Sequence, residues 1–265
     1  MSNDFTGENW LEPRGRLSPT RVNVGLIIPA VNTMSEPQLA HFCPRSMGLY
    51  ATRLRISGKW KKPFSDISTS IREAAALLSD TRPDLIIFHC TGTSMQEGPD
   101  GDAFICNLIR NETGIEAMTT GGAVIEAMKA LKIHRPILIS PYVQATNNRE
   151  IAYLGALGIR VVHDVALGII GGHLYPTVTP QEWVRIALAN DCAEGDGYFL
   201  SCTNTTQIEA IDAIERATGK PVVNSNQSVV WASIQRLRAS SFFTEPAPRI
   251  GRLMAETHAP SKCGS

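Results

Sequence analysis

The sequence predicts an α/β fold of two pseudo-symmetric, Rossmann-like lobes, each carrying a parallel four-stranded sheet, with the functional site in the cleft between them. Three observations carry that expectation. Continuous apolar runs alternate with amphipathic helical segments, the pattern of strands buried on both faces of a parallel sheet. The alternation occurs twice along the chain. The two copies place a cysteine in the same slot.

The elements follow in order. Residues 1–20 are polar and unpatterned and read as a disordered arm. VNVGLIIP (22–29) is a β-branched apolar run closed by a proline, hence a buried strand. Residues 65–80 have helical periodicity, and DLIIFHC (84–90) is a second strand. A helix over 101–114 ends at Gly114, the position where a left-handed glycine terminates a helix, and a further helix covers 123–133. PILISP (136–141) is a strand, 147–158 a helix, and IRVVHDVAL (159–167) a strand. The segment 179–191 opens with a threonine, a proline and then Glu182, the pattern of a capped helix start. GYFLSC (197–202) is a strand, 206–219 a helix, PVVNS (221–225) a strand and 229–239 a helix. Residues 241–265 have weak pattern and read as a tail.

The repeat sets the domain organisation. GLIIPAVNT (25–33) matches ILISPYVQAT (137–146), with Pro29 and Pro141 offset by 112 residues. DLIIFHCTGTS (84–94) matches DGYFLSCTNTT (196–206), and Cys90 and Cys202 are again offset by 112. The later pair Gly114 and Gly219 is offset by 105, so the first copy carries 7 extra residues, which we assign to a flexible loop at MQEGPDGD (95–102). A period of this length means duplicated domains and not a solenoid. The lobes are then 21–133 and 134–240, with the last helix of the first exchanged onto the second. Ligands of open α/β sheets bind beyond the carboxyl ends of the strands, so the two cysteines should face each other across the cleft.

Composition narrows the partners. The 265 residues are 43% hydrophobic and 19% charged, with 25 basic and 25 acidic side chains. A zero net charge gives no reason to expect nucleic acid or an anionic membrane. No apolar run approaches the roughly 20 residues that span a bilayer, and the N-terminus lacks a signal-peptide core, so a cytoplasmic protein is expected. The six cysteines form no C-x-x-C pair and there is no H-E-x-x-H, so neither a disulfide framework nor a metal site is expected. No glycine-rich nucleotide fingerprint occurs either, so no cofactor is expected. Cys43, Cys106, Cys192 and Cys263 read as small packed residues. Cys90 and Cys202 differ from these because both end an apolar strand and open a polar Cys-Thr-x-Thr turn.

Two facing thiols support definite chemistry. A thiolate is both base and nucleophile. A small carboxylate held in the turns would lie between two sulfurs, one removing a proton while the other delivers one. Alternatively one thiolate adds to an activated double bond and later leaves. Either route needs donors near the acid, and Asn32, Thr33, Thr91, Gly92, Thr93, Tyr142, Thr203, Asn204 and Asn226 occupy the strand-end turns. His89 should point to the other side of its strand from Cys90 as a structural histidine.

These segments resemble the aspartate/glutamate racemase superfamily, in the branch of maleate cis-trans isomerase and arylmalonate decarboxylase. The resemblance spans about residues 21–240. VGLIIPAVNT resembles the opening strand and its carboxylate-holding turn, which implies that role for Asn32. FHCTGTS and LSCTNTTQIEAIDAIERATGKPVV resemble the two catalytic-cysteine segments, which implies catalytic roles for Cys90 and Cys202. SPYVQATNNRE resembles the segment whose tyrosine donates to substrate, here Tyr142. Arylmalonate decarboxylases carry glycine in the first cysteine slot, so Cys90 favours two-cysteine isomerase or racemase chemistry over decarboxylation. The chain departs from maleate isomerases at Ala30, Val31 and Met34, and in lacking a second asparagine within 168–173. The resemblance implies a cofactor-independent isomerase acting on a small mono- or dicarboxylate. Racemisation of an α-substituted acid, decarboxylation, or a non-enzymatic carboxylate-binding module are the alternatives. It also implies a homo-oligomer.

Overall fold

A computed structural model describes residues 22–56, 64–237 and 248–256; the arm at 1–20 lies outside them. The first half contains β1 (Val22–Pro29), α1 (Ser35–Phe42), β2 (Met47–Leu54), α2 (Phe64–Ser79), β3 (Leu85–Phe88), a single turn α3 (Thr91–Ser94), α4 (Gly98–Thr113), β4 (Ala117–Thr119) and α5 (Thr120–Ala130). The second half contains β5 (Pro136–Ser140), α6 (Gln144–Ala156), β6 (His163–Ala166), α7 (Pro180–Ala189), β7 (Gly197–Leu200), α8 (Ile211–Thr218), β8 (Val222–Asn224) and α9 (Ser225–Leu237). The strands form two four-stranded sheets ordered β2-β1-β3-β4 and β6-β5-β7-β8, and every pairing is parallel. The two orders are identical, as the sequence repeat requires.

The apolar runs form strands because both sheet faces are covered. In the first sheet Ile27, Ile86 and Phe88 pack on α2 and α4 through Ile67, Ile71, Ile105 and Ile109. Their alternates Leu26, Ile28, Leu85 and Ile87 face the other way, into a core that continues through the second half to Leu138, Phe199 and Trp231. One sheet face therefore binds its own helices and the other ties the halves together. Helices α5 and α9 lie against each other, joined by a two-pronged ion pair from Arg236 to Glu126 at 2.6 and 2.8 Å. Gly114 and Gly219 end α4 and α8 at φ +71° and +72°, and Thr179 caps α7 by accepting the Glu182 N–H at 3.2 Å.

Several expectations need correction. The segment 95–102 is not a flexible loop: α4 starts at Gly98 with Pro99 in its first turn, so most of the extra length of the first half is helix. The helix read as 229–239 begins at Ser225, which draws Asn226 into its first turn. Residues 248–256, read as tail, dock on the core through Ile250 and through Leu253 and Met254 of a short 3₁₀ turn over Arg252–Ala255, all three buried. Cys106 is fully buried in α4 but is disulfide-bonded, not a plain packed thiol.

Candidate active site

In each sheet the chain leaves its first strand toward one edge and its third toward the other, which opens a crevice at their carboxyl ends. Asn32 follows β1 and Cys90 follows β3 in the first sheet; Tyr142 follows β5 and Cys202 follows β7 in the second. The two crevices face each other. Cys90 and Cys202 line a single cavity of about 250 Å³, together with Asn32, Gly92, Thr93, Tyr142, Thr203 and Asn204. A larger cleft of about 490 Å³, between α8 and residues 248–255, contains neither thiol.

The two sulfurs have different surroundings. Cys90 is half-buried at the start of α3, 3.2 Å from the Thr93 Oγ1. Burial raises its thiol above the ordinary value, and hydrogen bonds from the Thr93 side chain and backbone pull it back. Cys202 is 3% exposed, and burial pushes its thiol up to about 12 despite hydrogen bonds from the Tyr142 hydroxyl and the Asn204 N–H, the latter at 3.3 Å. Cys202 is thus held as a neutral thiol at neutral pH. Tyr142 in turn stacks edge-on against Tyr175, ring centroids 5.6 Å apart.

Cys202 also carries backbone strain. Its φ is +137°, a region disfavoured for any residue with a Cβ, and its N–H is fixed by donating to Ser225 Oγ at 3.1 Å. Glycine carries no such penalty. Cys202→Gly is therefore expected to be more stable than Cys202→Ala by about 1 kcal/mol, measured by chemical denaturation; equal stabilities would show that the conformation is not strained.

The proposed donors divide into two groups. Gly92, Thr93, Tyr142, Thr203 and Asn204 line the cavity. The others form a polar seam between the halves. Asn32 lines the cavity, but its amide donates to Thr203 Oγ1 at 3.0 Å and Ser35 Oγ at 2.8 Å, while its oxygen accepts the Met34 and Ser35 N–H groups. Thr33 is exposed and its N–H donates to Asn204 Oδ1. Thr91 donates to Ser225 Oγ at 2.9 Å, and Asn226 donates to Gln38 Oε1 and the Thr203 carbonyl. Thr33, Thr91 and Asn226 do not line the cavity. A donor placed in the right turn can serve the neighbouring lobe as readily as a ligand, and sequence alone does not separate the two. His89 is fully buried behind the site, its Nδ1 2.9 Å from Thr120 Oγ1, and burial lowers it to about 4, as a structural histidine.

Sequence reasoning missed Tyr175, Arg149 and Glu150. Tyr175 comes from a 3₁₀ turn whose glycines, Gly171 and Gly172, also line the cavity. Arg149 lies one helical turn beyond Thr146 on α6, so the i, i+3 spacing was the available signal. Glu150 is fully buried: Ser201 Oγ donates to Oε1 at 2.9 Å, Oε2 has no hydrogen-bond partner among the described residues, and burial raises the carboxyl to about 8.

A duplicated α/β scaffold with one strand-end cysteine from each half on a shared small cavity defines the cysteine-bearing, two-lobed enzymes of the aspartate/glutamate racemase superfamily. The chain belongs to the arylmalonate decarboxylase family, whose model matches residues 24–249. It is 24% identical over 246 residues to the maleate isomerase of Geobacillus stearothermophilus, covering 88% of this chain and 96% of that protein. It is 25% identical over 236 residues to the arylmalonate decarboxylase of Bordetella bronchiseptica, covering 88% and 97%. Among solved structures, a cysteine-to-serine mutant of the Nocardia farcinica maleate cis-trans isomerase with a covalently bound succinylcysteine intermediate superimposes with a TM-score of 0.78 at 20% identity, covering 88% of this chain and 98% of that one. The expected fold class and family are borne out. No helix among the described residues is long and apolar enough to cross a membrane.

Proposed function

We propose that this protein is a cofactor-independent, two-cysteine isomerase of a small carboxylate, most like maleate cis-trans isomerase, working in the cytoplasm as a homo-oligomer. The observation that carries the reading is the placement of two unlike thiols on one cavity of about 250 Å³, a size suited to a small acid. Cys90, the more exposed and with two hydrogen bonds from Thr93, is the nucleophile; Cys202, held protonated by burial, is the acid. The Cys90 thiolate adds to one alkene carbon, and the Cys202 proton passes to the other. The carbon–carbon bond, now single, rotates. Cys202 then takes a proton back from that carbon and the Cys90 sulfur leaves. Thr93, Thr203 and the Gly92 backbone line the cavity where a carboxylate would be held. The succinylcysteine in the Nocardia relative is the adduct such an addition yields. The same reading takes 21–133 and 134–240 as the lobes, with α5 exchanged onto the second, which its packing on α9 supports.

A second reading, decarboxylation of a substituted malonate with Cys202 protonating the resulting enediolate, is favoured by the family match. Proton NMR with maleate, substituted malonates and amino acids as substrates distinguishes the reactions. Isomerisation of maleate, lost by about 10³-fold or more in Cys90→Ala, is the expected result. A fully active Cys90→Ala variant rejects the two-thiol mechanism, and malonate turnover surviving in that variant selects decarboxylation.

A further inference from the structure

Arg149 is the one charged side chain among the described residues that line the cavity; the others are apolar, hydroxyl, amide or thiol groups. It is exposed, and it makes no hydrogen bond or ion pair with any described residue, so its guanidinium donors are free. Its neighbours on α6 are committed elsewhere. Gln144 and Asn147 both donate to Asp164, and the Glu150 carboxyl turns inward to Ser201. The neutral amides on the cavity are also engaged, Asn32 with Thr203 and Ser35, and Asn204 with the Gly172 carbonyl at 2.7 Å. Tyr142 is occupied by the Cys202 sulfur. An anion in this cavity therefore meets a single unpaired, formally positive group among the described residues, and it stands on the wall that also presents Tyr142 and Thr146.

We propose that Arg149 is the specificity-determining residue of the site: it holds a second anionic group of the substrate, distal to the reacting carbons, and so selects dicarboxylates over monocarboxylates. This rests on the isomerase reading and deepens it by assigning the residue of this chain that holds the second carboxylate. A planar fork of donors is matched to a carboxylate and pairs with it in two-pronged fashion. The turns beside the sulfurs take the first carboxylate, so the exposed, unpaired Arg149 on the same cavity is placed to take the second.

Calorimetric titration of the full chain with succinate and with butyrate tests this without any chemistry. Succinate carries both carboxylates and no alkene; butyrate carries one. Arg149→Gln is expected to weaken succinate tenfold or more and to leave butyrate within twofold, while Arg149→Lys recovers most of the succinate affinity. In turnover the loss should fall on KM and leave kcat nearly unchanged. Equal effects on the two acids, an unchanged succinate affinity, or no succinate binding by the unsubstituted protein would each overturn the assignment. Because binding is read separately from turnover, an active Cys90→Ala variant would sink the isomerase mechanism and leave the titration result standing.

Discussion

Cys202→Ala is expected to lower turnover by about 10²–10⁴-fold, the range for removal of a positioned proton donor. The structure also specifies where that loss appears. Cys202 is held as a thiol by burial, with a value near 12, so it stays protonated through the ordinary working range. Cys90 is raised too, and on the proposed mechanism it must ionise to attack. The rate should therefore climb from neutral to alkaline pH with the Cys90 thiolate fraction. In D₂O the exchanged Cys202 sulfur delivers deuterium to carbon, so fumarate formed from maleate should carry vinylic deuterium. Tyr142→Phe removes a hydrogen bond to that sulfur and should slow turnover without abolishing the label. Product free of deuterium would mean that the adduct rotates without protonation, and that Cys202 is not the acid.

The second large effect concerns stability. Glu150 lies fully buried beside both thiols and Tyr142, and its carboxyl is raised to about 8 from an ordinary value of 4.5. The folded protein holds this proton where the unfolded chain has already released it. Between pH 4.5 and 8 the native state binds the extra proton, so this group's contribution falls as pH rises and levels off above 8. Glu150→Gln keeps an acceptor for Ser201 Oγ and cannot ionise. It should remove that slope and exceed the parent in stability by on the order of a few kcal/mol above pH 8. Parallel stability–pH curves for parent and variant would show that Glu150 is ionised in the folded protein. Because the Glu150 charge raises both thiols and Tyr142, the substitution should also lower the pH at which the cysteines react with iodoacetamide in alkaline solution.

The sequence reveals elements in proportion to how completely they are buried. β1, β3, β5 and β7 are continuous apolar runs because each lies between covered faces, and each was legible. β2 was not: it is an edge strand, half exposed at Tyr50, Ala51 and Arg53, and it carries no simple alternation. α1 is short, with Pro37 inside its first turn and weak amphipathicity, so nothing in its sequence separates it from a loop. The glycines of 98–101 suggested a loop, although Pro99 supplied a helix-start signal that the structure obeys. At the site, the internal repeat located both cysteines and Tyr142, because duplication is visible as offset alone. It could not locate Arg149 or Tyr175, which come from outside the matched strand ends, nor reveal that Thr91 and Asn226 point into the seam between the halves.

That seam has a mechanical consequence. Bonds from Asn32, Thr33, Ser35 and Gln38 to residues 203–205, and from Thr91 to Ser225, cross the chain directly beside the cysteines. These bonds rivet the two lobes at that point and oppose a jaw-like opening. The spacing of the two sulfurs is consequently set largely by how the chain folds, and acids that differ in length are expected to differ in how well they bind between them. Retuning the protein toward a longer acid would then call for changes at the rim of the cavity, since loosening the rivets would widen the gap for every ligand and unseat both thiols together.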